Sequence, residues 1–226
     1  MKLAVHQPNF IPWLGYFKKI QEADIFVLLD DVQYIRRGFI NRNKIKTPQK
    51  EQWLTLPVVT RGNYLSKINE IKVFNKNLTL DRLLNSIKFN YSRSKYFDKY
   101  FESISDIIKT GDVSMADINM NLIFWLCNIL DIKTKILRSS ELDLKHSNAT
   151  ERIISICQYF DSNQYISGSS GYKYQNLDLF KANSIEVITL NFEIQEYPQL
   201  WGEFVGGLSV LDSLFNCDTG VKSLIN

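Results

Sequence analysis

The sequence is poor in the residues that build metal centres and disulfide scaffolds. Only two histidines, His6 and His146, and three cysteines, Cys127, Cys157 and Cys217, occur in 226 residues. No cysteine pair has metal-knuckle spacing, and an odd count without C-x-x-C points to a reducing compartment; no metal site is expected. Proline (5) and glycine (10) are scarce and fall in short clusters, which leaves no linker, repeat or low-complexity tract. Charge of one sign is missing too. Twenty-seven basic residues face 24 acidic ones, and a net +3 gives no electrostatic footprint for nucleic acid. Long apolar runs are absent: Leu3–Val5 stops at His6-Gln7, too short for a signal peptide, and Leu122–Leu130 is under half a membrane span. A soluble cytoplasmic protein that engages neither nucleic acid nor membrane is expected.

What the chain does have is aromatic side chains. They make up 13% of it, enough both to fill a core and to line a pocket for a sugar or a base. Leu3–Val5 reads as a short strand, and Leu14, Phe17, Ile20 and Ala23 recur at helical spacing after it. Ile25–Leu29 is a fully apolar strand, so strand, loop, helix and buried strand follow in βαβ order. Short strands are predicted around Trp53–Val58, Ile68–Phe74 and Lys135–Leu137, with helical patterning from about Leu78 to Leu130. Ser114-Met-Ala-Asp117 is a capping box opening an all-round apolar helix, and Asn148-Ala-Thr-Glu151 caps another. Strand Tyr165-Ile166, helix Asn176–Ala182 and strand Ile185–Leu190 repeat the βα alternation, and a loop and short helix follow from Tyr197 to Asn216. The fold class is α/β: one domain over 1–226, a mainly parallel sheet flanked by helices, with a central helical insertion at about 75–132.

Ligands of open α/β sheets bind outside the carboxyl ends of the strands. Three polar clusters fall at such ends: His6-Gln7-Pro8, Asp30-Asp31 and Ser167-Gly168-Ser169-Ser170-Gly171. His6 is a candidate general base or acid, or a hydrogen-bond donor to a phosphate; alternatively it stiffens the loop that Pro8 and Pro12 bracket. Trp13 is a stacking platform or a plug for the first helix. Asp30 and Asp31 point to opposite faces, so at most one enters a pocket; a strand-terminating turn is the plain alternative. Tyr34 with Arg36-Arg37 forms a basic loop suited to an anion, or a solvated face. Ser167 to Gly171 can form a nest of backbone N–H groups for phosphate, with Lys173 and Tyr174 adding a cation and a phenol; a simple βα turn competes with that. The pattern is not G-x-S-x-G, which argues against a serine nucleophile. Arg42, Lys44 and Lys46 make either a charged strand edge or a phosphate-binding one. His146 reads as a surface residue and the cysteines as inert thiols.

The block His6-Gln7-Pro8-Asn9-Phe10-Ile11-Pro12-Trp13-Leu14-Gly15-Tyr16-Phe17 resembles the opening signature of the WbqC-like family. The resemblance continues through Asp31-Val32-Gln33-Tyr34, Asn41-Arg42-Asn43-Lys44-Ile45 and Trp53–Val58. It resumes at Thr150-Glu151-Arg152, Tyr165–Gly168, Tyr197–Gly202 and Leu208–Asn216, so it spans essentially the whole chain. It departs at the helix leading to Tyr91, where members tend to carry Trp and His and this chain has Thr79 and Leu83. A weaker similarity, strand then aromatic loop then helix, is to the HxGH region of nucleotidylyltransferases, with Trp13 and Tyr16 in the neighbouring places.

Family members are associated with bacterial surface-polysaccharide clusters, including O-antigen and lipopolysaccharide biosynthesis. The resemblance therefore implies a cytoplasmic transferase acting on a nucleotide-linked or amino-bearing sugar. The expected reaction is acyl or aminoacyl transfer to the amine of a nucleotide-linked amino sugar, with a donor such as a coenzyme A thioester. His6 would be the general base with a pKa near 7, and Asp31 and Tyr174 the other proton carriers. The substrate would be held by Gln7, Trp13, Tyr34, Arg36, Arg42, Lys44, Ser167, Gly168, Ser169, Gly171, Lys173, Gln199 and Trp201. Two alternatives stand beside it: nucleotidylyl transfer with ATP and an Asp31-held Mg²⁺, and a non-catalytic sugar-nucleotide-binding module.

Overall fold

The computed structural model describes residues 1–60, 65–74, 77–110, 114–144, 147–168, 171 and 175–225. Its contacts divide the chain into two compact units. One comprises Met1–Gln7, Gly15–Asp30 and Ile132–Glu193, and the other Pro8–Leu14, Asp31–Asp131 and Ile194–Asn226.

The first unit is built on a five-stranded parallel sheet. Strands β1 (Lys2–His6), β2 (Ile25–Leu28), β5 (Lys135–Arg138), β6 (Gln164–Gly168) and β7 (Glu186–Leu190) lie in the order β5-β2-β1-β6-β7. Parallel neighbours need crossovers, and helices α1 (Leu14–Gln21), α5 (Ala149–Tyr159) and α6 (Leu177–Ala182) follow β1, β5 and β6. All four residues of β2 are buried, as a continuous apolar run requires when both faces are covered. Its core joins Leu3, Val5, Ile25 and Val27 of the sheet to Ile153, Ile156 and Cys157 of α5 and Phe180 of α6. The chain runs outward from β1 through β2 to β5, then returns to start β6 and β7 on the other side of β1. The β1/β6 junction is therefore the topological switch point.

The second unit holds the hairpin β3 (Arg42–Lys46) and β4 (Glu51–Thr55), antiparallel with Arg42 opposite Thr55 and Lys44 opposite Trp53. Helices α2 (Asn77–Tyr91), α3 (Phe97–Lys109), α4 (Met115–Leu130) and α7 (Val210–Cys217) complete it. The Ser114 box forms as its spacing predicts. Ser114 Oγ accepts from Asp117 N–H at 3.1 Å, and the Asp117 carboxylate accepts from Ser114 N–H at 3.1 Å. Asn148 likewise accepts from Glu151 N–H at 3.0 Å. The strand predicted over Ile68–Phe74 is a 3-10 turn at Ile68–Glu70 followed by isolated bridges at Lys72 and Val73. The apolar spacing suggested extension, but Glu70 turns back to accept from Lys67 N–H at 2.9 Å and closes the chain locally. Leu83, where the resemblance departs, is buried.

Candidate functional site

The carboxyl ends of β1 and β6 bring His6 and Gln7 next to Ser167 and Gly168, on adjacent parallel strands of the first unit. His6 Nδ1 lies 3.0 Å from the Gln7 carbonyl, which also accepts from Tyr16 Oη–H at 2.9 Å. The Tyr16 ring meets the imidazole edge-on at 4.8 Å. A proton on Nδ1 satisfies that carbonyl and leaves Nε2 with its lone pair. Burial, then the positive charge of Lys19, lower the His6 pKa from 6.5 to about 4, against the raising effect of the Gln7 hydrogen bond. A base near pKa 7, as the sequence suggested, is therefore corrected: the ring stays neutral at all ordinary pH. Burial is the larger reason, and Lys19 adds to it. Only 5% exposed, Lys19 donates to the Val5 carbonyl at 2.9 Å and lies 5.8 Å from the Tyr165 ring centroid, and burial pulls its pKa down to about 8.

Ser167 is fully buried, its hydroxyl 3.0 Å from Gln175 Oε1, while Gln175 Nε2 donates to Tyr165 Oη at 3.2 Å. An inward, bonded hydroxyl braces the turn. A Cβ on Gly171 would come within 3.2 Å of Ser167 Oγ, so the turn packs closely there. Ser169, Lys173, Tyr174 and His146 lie outside the described residues. Asp30, buried in the same unit, accepts from Ser140 N–H at 3.0 Å and Ser140 Oγ–H at 2.7 Å, tying β2 to the turn after β5.

The second unit gathers another set. Tyr34, Arg36, Arg37 and Arg42 line a cleft of about 320 Å³ with Asn41, Thr55 and the segment Leu56 to Val58 and Thr60. Among the described residues no carboxylate lines it. Arg36 Nη2 donates to the Thr60 carbonyl at 3.1 Å, and Arg42 donates to the Arg37 carbonyl. Arg42 Nε is buried without a hydrogen-bond partner among the described residues. Burial raises the Tyr34 pKa while Arg36 and Arg42 pull it down, so the phenol is a neutral donor at pH 7. A cleft with three guanidinium groups and a phenol suits phosphate or carboxylate oxygens. A wider hollow of about 510 Å³ sits between α6 and the amino end of β7, away from the carboxyl edge and its polar clusters.

The remaining predicted residues of this unit have other partners. Asp31 and Trp13 are half-buried, and Trp13 bridges to Ser209. Lys44 pairs with Glu51 across the hairpin. Gln199 receives a hydrogen bond from Lys46 Nζ at 2.9 Å and exchanges two with the Val205 backbone, at 2.9 and 3.0 Å, so its amide is spent bracing the tail. Trp201 donates from Nε1 to the Asn90 carbonyl at 3.0 Å. Arg37 of the basic loop stands in the cleft wall, and Lys46 is buried near two residues the sequence did not single out, Tyr91 and Asp212, of which Tyr91 Oη–H donates to Asp212 at 2.8 Å.

A model of the WbqC-like protein family matches residues 7–222. The chain belongs to the WbqC-like protein family. A protein of Mycobacterium tuberculosis, the uncharacterized protein Rv1507c, is 34% identical over 217 residues, covering 95% of this chain and 93% of that one. No solved structure matches. The WbqC-like motif residues Asn41, Asn43 and Ser209 are largely structural. Asn41 Nδ2 donates to the Leu56 carbonyl at 3.1 Å in the cleft wall. Asn43 Nδ2 and Ser209 Oγ both donate to the Ile11 carbonyl, at 2.7 and 2.9 Å, and hold Ile11 at φ +40°, a conformation a β-branched residue adopts only under constraint. Among the described residues no helix is long and apolar enough to cross a membrane.

Proposed function

We propose that this WbqC-like protein is a transferase of bacterial surface-polysaccharide assembly that moves an acyl or aminoacyl group onto the amine of a nucleotide-linked amino sugar. The observation that carries the reading is the cleft of Tyr34, Arg36, Arg37 and Arg42, which suits an anion and has no lining carboxylate among the described residues. Its guanidinium groups hold the phosphates of the nucleotide. His6, neutral with its Nδ1 proton committed to Gln7, takes a proton on Nε2. At a pKa of about 4 it does not strip a free alkylammonium. Instead it accepts the proton shed as the amine nitrogen bonds the acyl carbon and turns strongly acidic. His6 then hands that proton to the coenzyme A sulfur as the bond between sulfur and the acyl carbon breaks, which leaves an amide, a free thiol and a neutral imidazole.

The test is mass spectrometry of nucleotide-linked amino sugars incubated with acyl donors. The expected result is a product heavier by one acyl group, with turnover falling about a hundredfold in His6→Gln while sugar-nucleotide affinity holds. Arg42→Met should weaken that affinity instead. Metal-dependent pyrophosphate release would replace acyl transfer with nucleotidylyl transfer. Binding without turnover under every donor would reduce the protein to a binding module.

A further inference from the structure

An aromatic pair on the second unit has no part in the mechanism above. Phe39 and Trp53 are 48% and 37% exposed, and their ring centroids stand 5.6 Å apart at an angle of 54°. Exposed large aromatics in contact with each other form an apolar patch, and patches of that kind mark binding surfaces. The patch is anchored from behind. Phe10 N–H donates to the Phe39 carbonyl at 3.0 Å, and Asn119 Nδ2 donates to the Ile40 carbonyl at 2.6 Å, so the backbone that presents the ring is pinned on both sides.

Arg42 connects this patch to the cleft. Its guanidinium lies 4.0 Å from the Trp53 ring centroid, the same side chain lines the cleft, and its Nε is buried without an acceptor among the described residues. An unfilled donor beside a basic cleft calls for an anionic oxygen, and the neighbouring rings call for a flat partner. A free phosphate would leave the rings uncovered, and a neutral sugar would bring no anionic oxygen to Arg42 Nε. A nucleoside diphosphate meets both demands in one molecule. We infer that Phe39 and Trp53 form the stacking platform for the base of a nucleoside diphosphate whose phosphates lie on Arg36, Arg37 and Arg42. The inference rests on the cleft being the phosphate site of the proposed function.

Calorimetric titration of the intact protein with pyrophosphate, uridine diphosphate and adenosine diphosphate separates the two ideas. One or both nucleotides should bind about tenfold or more tightly than pyrophosphate, the margin that stacking adds. Phe39→Leu should erase most of that margin and leave pyrophosphate affinity and the melting temperature unchanged. Arg42→Met should weaken all three ligands. Equal affinities in the wild type, or full nucleotide affinity in a folded Phe39→Leu protein, would overturn the platform and keep the cleft. Failure of pyrophosphate and both nucleotides to bind the wild type would overturn the cleft and the platform together.

Discussion

His6 shows how burial, with one charged neighbour beside it, decides what a residue can do. Its folded pKa of about 4 lies below the 6.5 of an unfolded chain, so between those values the unfolded chain takes up a proton that the folded one refuses. Stability is therefore full above pH 6.5 and declines as the pH falls toward 4, by on the order of 3 kcal/mol from this residue. His6→Gln removes that proton exchange. Urea unfolding at pH 7.0, 5.5 and 4.5 should show the variant gaining on the wild type at each step down; a constant difference would mean that the imidazole titrates normally. Lys19 carries the opposite charge problem. Its pKa of about 8 means the buried ammonium is mostly protonated at pH 7 beside a carbonyl rather than a carboxylate. Folding therefore becomes more favourable as pH rises from 8 toward 10.5, the window in which the unfolded chain alone holds the proton. The helical spacing around Lys19 was legible. Its burial was not, because it depends on β1 and β6, whose pairing no local pattern reveals.

At the scale of the element, local chemistry carried further. Ser114 and Asp117 close a reciprocal cap three residues apart, and nothing distant is needed to form it. Ser114→Ala should cost about 1 kcal/mol, seen as a lower urea midpoint at unchanged slope. A drop several times larger would show that Ser114 also supports the bridge its backbone makes with Lys72. The Ile68–Phe74 segment failed in the other direction, since an apolar run can be folded into a turn when a carboxylate reaches back. Gln199 shows a third limit of local reading. Its tail motif looked like a ligand contact, but two backbone hydrogen bonds and Lys46 consume the amide. A polar side chain in a loop reads the same whether its partner is substrate or backbone. Tyr34, Arg36 and Arg42 line one cleft, because two of them sit two residues apart and the hairpin strand that starts at Arg42 forms the adjoining wall.

For the whole molecule, the cysteines offer a readout of each unit. Cys157 belongs to the first unit and Cys127 to the second, and burial pushes both thiols up to about 12. A thiol at that pKa is almost entirely protonated at pH 8 and reacts slowly. Thiol titration of the native protein should therefore label the partly exposed Cys217 at most, with the other two released only on unfolding. Following Cys157→Ser and Cys127→Ser separately in rising urea then reports the opening of each unit. Rapid labelling of two or three thiols in native buffer would contradict the burial assigned to them.

Composition, caps and apolar runs by themselves determined that this chain makes an α/β fold with a buried parallel strand at Ile25–Leu28, a capped apolar helix after Ser114 and a cationic loop at Arg36-Arg37. Those features rest on neighbours within a few residues, where sequence and space are nearly the same thing. Tertiary structure alone decided the strand order that sets β1 beside β6, the burial that with Lys19 keeps His6 neutral, the internal hydrogen bonds of Gln199, and the pairing of Phe39 with Trp53 beside Arg42. Each depends on desolvation or contact between residues distant in the chain, and desolvation is fixed only when the surrounding surfaces close.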